Sequence, residues 1–153
     1  MRAHRILPGT LALAAGLFLS SCTSDVEKLW EYPSYAASYS SPAVHNNMVV
    51  FGTTAGELHA LSRDGAFLWK FQTRKEIVSA PQIMDNLIFF GSTNHNFYAV
   101  DLKGRQVWKY TTFSRIKGDA NVDRETNSVI FGSYDRHLYS LDAVTGALRW
   151  VFA

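Results

Sequence analysis

The sequence is poor in several features that usually decide a protein's class. Its 153 residues contain one cysteine, Cys22, so no disulfide can form within the chain and stability has to come from packing. It lacks a charge excess. Fifteen Lys and Arg stand against 13 Asp and Glu, and without clustered cations there is no electrostatic case for nucleic acid as a partner. Helical periodicity is missing beyond residue 21. A long apolar run is missing too: "ILPGTLALAAGLFLS", from Ile6 to Ser20, is too short and too poorly flanked to make a stable spanning helix.

That short run follows a basic start, Arg2 and Arg5, and residues 1–21 therefore read as an export signal. It closes on Leu19-Ser20-Ser21-Cys22, which resembles the bacterial lipoprotein box. The resemblance implies that Cys22 receives a diacylglyceryl group and becomes the mature N-terminus. Removing the signal also removes two arginines and no acid, leaving 13 charges of each sign. Thr23 stands where enteric lipoproteins retained at the inner membrane carry aspartate. The expected location is thus the outer membrane, facing the periplasm, with a tether over residues 22–28. The six residues after the cysteine reach roughly 20 Å when extended.

What the sequence does have is a beat. "LSRDGAFLWKFQT" from Leu61, "VDLKGRQVWKYTT" from Val100 and "LDAVTGALRWVFA" from Leu141 are copies of one unit, and "KLWEYPS" at Lys28 looks like the tail of another. Trp30, Trp69, Trp108 and Trp150 are spaced 39, 39 and 42 residues apart, and Gly52, Gly91 and Gly132 keep the same interval. A period near forty marks a repeat architecture. Each unit reads as four short strands, shown by "VSAPQIM", "NLIFFGS", "NFYAVD" and "RQVWKYT", rich in β-branched and aromatic residues and divided by Gly, Asn and Asp. The second strand has no polar face, so both of its sides must be covered, as they would be in a stack of small sheets. Asp101 with Gly104, and Asp142 with Thr145 and Gly146, read as the turn from third to fourth strand. There the carboxylate accepts turn amides and the glycine supplies positive φ. The tryptophan four residues on lands on the fourth strand, where its area is best used against the next sheet.

Four-stranded units of forty residues are β-propeller blades. Their Asp-x-x-Thr-Gly-x-x-x-Trp ending, with Tyr98-Ala99-Val100-Asp101, Tyr139-Ser140-Leu141-Asp142, Ser79-Ala80-Pro81 and Ser40-Ser41-Pro42, resembles the repeat of pyrroloquinoline quinone (PQQ) enzymes and their non-enzymatic relatives. The expected fold is all-β: blades over about 39–73, 78–112 and 117–153 plus a leading strand at Leu29–Tyr32, forming an incomplete ring within residues 29–153. The third unit departs from the pattern, since "GDANV" lacks the proline. Quinone dehydrogenases of this superfold resemble eight-bladed rings holding PQQ and calcium, many with adjacent cysteines. The lone cysteine here lies outside the repeats, and no acidic pair stands at ligand spacing. No catalytic residue, metal or cofactor is therefore expected, and His45, His59, His95 and His137 read as scattered surface or edge positions.

A binding module remains. The loops from fourth to first and from second to third strand share one propeller face. They bring forward Arg74, Lys75, Arg115 and Lys117 from the first class, and Asn94, His95, Tyr134 and Arg136 from the second, as a partner-binding rim. In signal, anchor and repeat type the chain is similar to the non-catalytic propeller lipoproteins of the barrel-assembly machinery, which implies an envelope protein as partner. A ligand- or glycan-binding sensor propeller is the alternative, and a fragment of a PQQ dehydrogenase a second. Three blades and a strand fall short of the four to eight that close a ring. The sequence therefore predicts further blades beyond Ala153 or a ring built from several chains, and self-association of open blades.

Overall fold

The computed structural model describes residues 27–153. The export signal, Cys22 and all but the last two residues of the tether lie outside the described residues. Among the described residues twelve strands form three antiparallel four-stranded meanders. Blade 1 holds β1 (Ala43–His45), β2 (Met48–Gly52), β3 (Glu57–Ser62) and β4 (Phe67–Gln72). Blade 2 holds β5 (Gln82–Met84), β6 (Leu87–Gly91), β7 (Asn96–Asp101) and β8 (Gln106–Thr111). Blade 3 holds β9 (Asn121–Asp123), β10 (Ser128–Gly132), β11 (Leu138–Asp142) and β12 (Leu148–Phe152). Among the described residues there is no helix, and so none long and apolar enough to cross a membrane. The first strands lie beside one another, β1 against β5 and β5 against β9, and so share the inner side of the arc.

First strands are shorter than the sequence suggests. β9 starts only at Asn121, with Ala120 before it, and β5 likewise starts only at Gln82 with Pro81 in that place, so the proline's missing N–H is not what shortens them. Upstream of β5 the Ser79 hydroxyl stands in for backbone, accepting from Gly91 N at 2.9 Å and donating to Gly91 O at 3.0 Å. Ser40 treats Gly52 the same way in blade 1. The leading segment at Leu29–Tyr32 pairs with no strand among the described residues and forms no ladder.

Two clusters make the core, and both lie in seams between blades. Val50, Leu58 and Ala60 of blade 1 meet Ile88, Phe90, Tyr98 and Val100 of blade 2, and Trp69 packs against the same cluster. Phe89, Phe97, Ala99 and Trp108 of blade 2 meet Val129, Phe131, Tyr139 and Leu141 of blade 3. Phe97 and Phe131 stack with ring centroids 3.9 Å apart. Because opposed residues of neighbouring strands share a face, each blade has one face that receives its predecessor and one that presents to its successor.

Each seam is fastened by the same lock. A register shift in every third-to-fourth pairing sets the tryptophan opposite a small residue: Trp69 opposite Ala60, Trp108 opposite Ala99, Trp150 opposite Ser140. The indole then crosses to the turn of the next blade. Trp69 Nε1 donates to Leu102 O at 2.9 Å and Trp108 Nε1 to Ala143 O at 3.0 Å. Gly104 and Gly146 take φ of 78° and 71° in those turns, and a Cβ on either would come within 2.6 Å of the indole. The glycine thus serves the turn and the seam together. Trp30 repeats the lock from the leading segment, lying over Gly65 and donating to Arg63 O at 3.0 Å.

The turn carboxylates behave as the sequence suggests. Asp142 Oδ1 accepts Val144 N at 3.1 Å and Thr145 N at 2.9 Å, and Asp101 Oδ1 accepts Lys103 N and Arg105 N, both at 2.9 Å. Arg149 at 2.7 Å, helped by Thr145, holds the Asp142 carboxyl well below the usual carboxylate range. An aspartate so stabilised caps its turn at neutral pH at little desolvation cost.

Candidate functional site

The rim along both blade junctions is held by a repeated set of short polar bonds. Thr73 Oγ1 donates to Gly56 O or Lys75 O, and Thr112 Oγ1 to His95 O or Ser114 O. Ser92 Oγ bonds Thr73 Oγ1 at 3.3 Å, and Ser133 Oγ bonds Thr112 Oγ1 at 3.3 Å. Backbone bonds cross from blade to blade as well: Thr93 N to Glu76 O at 2.9 Å, Tyr134 N to Arg115 O at 3.0 Å, and Ile116 N to Ser92 O at 3.2 Å. These bonds satisfy loop groups that would otherwise need water, and they fix side chains on loops as firmly as strands would.

On that frame sits an open cleft of about 720 Å³. Five of the eight rim residues expected from the sequence line it: Lys75, His95, Arg115, Lys117 and Tyr134. Glu76, Thr93 and Ser114 complete the lining. Three cations face one carboxylate, so the cleft is cationic in a chain that is nearly neutral. Arg115 lies over the Tyr134 ring, its guanidinium carbon 4.7 Å from the centroid, which orders both side chains without using up the guanidinium's in-plane donors. Beneath Tyr134, Asp135 accepts Tyr139 Oη at 2.8 Å, Phe113 N at 3.0 Å and His137 N at 3.1 Å. Burial works to raise the Asp135 carboxyl, but these donors outweigh it and hold the group below its ordinary value.

The other three rim residues lie apart from the cleft. Arg74 and Arg136 are exposed on tight turns, at φ of 66° and 71°. Asn94 is half-buried and turned inward as a brace, its amide donating to Thr73 O at 2.9 Å and to Tyr98 Oη at 2.7 Å. One histidine corrects the sequence reading: His59 is buried, not at a surface, with Nδ1 3.2 Å from Tyr32 Oη and Nε2 2.9 Å from Glu57. It holds the position that Tyr98 and Tyr139 occupy in the later blades, so an aromatic ring is what the seam requires there. Among the described residues no three His, Cys, Asp or Glu come together as a metal site. Sequence reasoning missed the Thr73–Ser92 and Thr112–Ser133 pairs, although their recurrence in successive units was there to be read.

A family model described as outer membrane protein assembly factor BamB matches residues 23–152. None of the curated proteins matches the chain. Among solved structures, BamB from Moraxella catarrhalis aligns with a TM-score of 0.71 at 22% identity, covering 81% of this chain and 39% of that one. The computationally designed Ika4 protein aligns with a TM-score of 0.73 at 21% identity, covering 82% and 79%. Quinohemoprotein alcohol dehydrogenase from Comamonas testosteroni gives 0.67 at 18% identity, covering 76% and 21%. The chain thus spans well under half the length of the natural proteins it resembles. At these identities the likeness shows the propeller fold, which a dehydrogenase shares, so the fold alone does not decide about catalysis.

Proposed function

The chain belongs to the outer membrane protein assembly factor BamB family, and from that membership we propose that it is a non-catalytic scaffold at the bacterial envelope, anchored by lipid on Cys22 and holding a protein partner in the cleft between blades 2 and 3. The observation that carries this reading is the cleft's chemistry. Lys75, Arg115 and Lys117 gather at the cleft, Tyr134 is a flat anchor braced by Arg115, and the loops beneath are bonded from blade to blade. A preformed cationic surface with an aromatic at its centre suits an acidic segment of a partner, since little ordering cost remains to be met on binding.

The test is crosslinking and capture from membranes with the full chain. Arg115→Glu with Lys117→Glu is expected to lower capture of the envelope partner at least about tenfold while leaving the melting temperature nearly unchanged. Undiminished capture would remove the cleft from the function. Fractionation of Cys22→Ala tests the anchor separately: the wild type is expected with outer membranes and the variant free in the periplasm. Equal partition ends the lipid reading and leaves the cleft untouched.

A further inference from the structure

Each blade has two ends, and the leading segment enters at one of them. Trp30 donates to Arg63 O in the β3–β4 turn and lies over Gly65 of the same turn. Seven residues later, Ala37 O accepts Thr54 N at 2.9 Å in the β2–β3 loop, repeating the Thr93–Glu76 and Tyr134–Arg115 bonds of the rim. The chain therefore arrives at the turn end of blade 1 and climbs to the rim. β3 spans that interval with six residues, about 17 Å of strand.

The two ends expose different chemistry. At the rim stand aromatics, Tyr35 96% exposed and Phe113 88%, beside Tyr134 and the cations of the cleft. At the turn end stand aliphatics. Leu68 and Val107 hold the same place in blades 1 and 2, one residue before the lock tryptophan, and both are about half exposed, as is Val144 in the β11–β12 turn. Between the first two blades an apolar groove of about 260 Å³ runs from Met48 past Leu68 to Leu102. Arg63 and Lys103 are exposed at the turn tips, and Asp64 between them is bonded by the Ser62 hydroxyl. Both ends of a blade stay open to solvent whatever sheets stand beside it.

We infer that the lipid-anchored chain stands turn end down on the bilayer, with Leu68, Val107 and Val144 seated among phospholipid headgroups and Arg63 and Lys103 at their phosphates. The inference rests on the lipid proposed on Cys22. Aromatics and cations at the rim would suit an interface equally; the direction of the chain decides between the two ends. Cys22 lies eight residues before Trp30, a reach of about 27 Å when fully extended. Standing upright leaves that tether slack. Inversion would draw it back along the whole blade, about 17 Å of strand with the loops besides, and would cost most of its conformational freedom. Aliphatic side chains flanked by long cations suit the headgroup layer, which covers the apolar surface while the charged ends reach phosphate. The cleft is then held on the side away from the membrane, and its partner approaches from the water.

The test uses the full lipidated chain on vesicles of phosphatidylethanolamine and phosphatidylglycerol that carry a headgroup-linked energy acceptor. With Cys22 acylated, Asn86→Cys in the β5–β6 turn, or Arg136→Cys on the rim outside the cleft, supplies the one thiol open to a donor dye. The donor on Asn86→Cys is expected to lose most of its emission to the acceptor, and the donor on Arg136→Cys to keep most of its own. Adding Leu68→Glu with Val107→Glu should restore emission from Asn86→Cys while the chain stays on the vesicles. Circular dichroism checks folding; were that pair unfolded, Arg63→Glu with Lys103→Glu carries the same expectation. Equal transfer from both labels, or stronger transfer from Arg136→Cys, overturns the orientation and leaves the lipid reading intact. Emission unmoved by the added charges in folded chains overturns the seating among headgroups. A chain that fails to float with the vesicles overturns the lipid reading and this inference with it.

Discussion

At Trp108 one side chain meets three demands: its rings fill the second seam, its N–H satisfies Ala143 O, and its bulk occupies the space above Gly146 that any Cβ would claim. Trp108→Ala is therefore expected to destabilise by about 3–5 kcal/mol. Arg115→Ala, on the exposed rim, should stay within about 0.5 kcal/mol. Urea melts of the two variants check the order, and the reverse order would mean that the cleft, not the seam, holds the fold. At this scale the sequence shows which residues recur but only half of why. The spacing of tryptophan and glycine is plain in one dimension. That each tryptophan sits on the glycine of the following unit is a relation across 35 to 38 residues, which no local propensity encodes. The burial of His59 is equally hidden, because a lone histidine on a strand carries no mark of the Tyr32 and Glu57 groups that enclose it.

Among the elements, second, third and fourth strands were legible because alternation and turn residues bound them on both sides. First strands are harder to delimit, since the serine hydroxyls that replace ladder bonds at Gly52 and Gly91 look like ordinary strand sequence. The third strand of blade 3 carries a titration of its own. Burial first, and then the bond to Asp135, push the Tyr139 phenol from 10.0 up to about 12. The folded value lies above the unfolded one, so this contribution is complete below about pH 10 and is lost as the pH rises toward the folded value. Thermal melts of wild type should fall through that alkaline window. Tyr139→Phe should start lower at neutral pH, because Asp135 loses a donor, and should lose less across the window. Parallel curves would show that the phenol is not the group responsible.

For the molecule as a whole, the period of forty announces blades and their order, and the rim residues follow from topology alone. Five of the eight do meet in one cleft; the remaining three could not be sorted from sequence, since a turn's residues point in or out according to bonds such as those of Asn94 with Thr73 and Tyr98. Blade 2 contributes to both hydrophobic clusters, so neither seam can open without disturbing the sheet that supports the other.

The lock at each seam has an optical consequence. Every interface carries its own indole, in surroundings that run from dry at Trp108, through half-covered at Trp69, to wet at Trp30 and Trp150. Indole emission moves to shorter wavelength as water is withdrawn, so chains keeping one tryptophan each, with phenylalanine at the others, should emit bluest from Trp108 and reddest from Trp150. Iodide should quench them in the opposite order. In denaturant the Trp69 and Trp108 signals should shift together, and separated midpoints would mean that the seams open in succession.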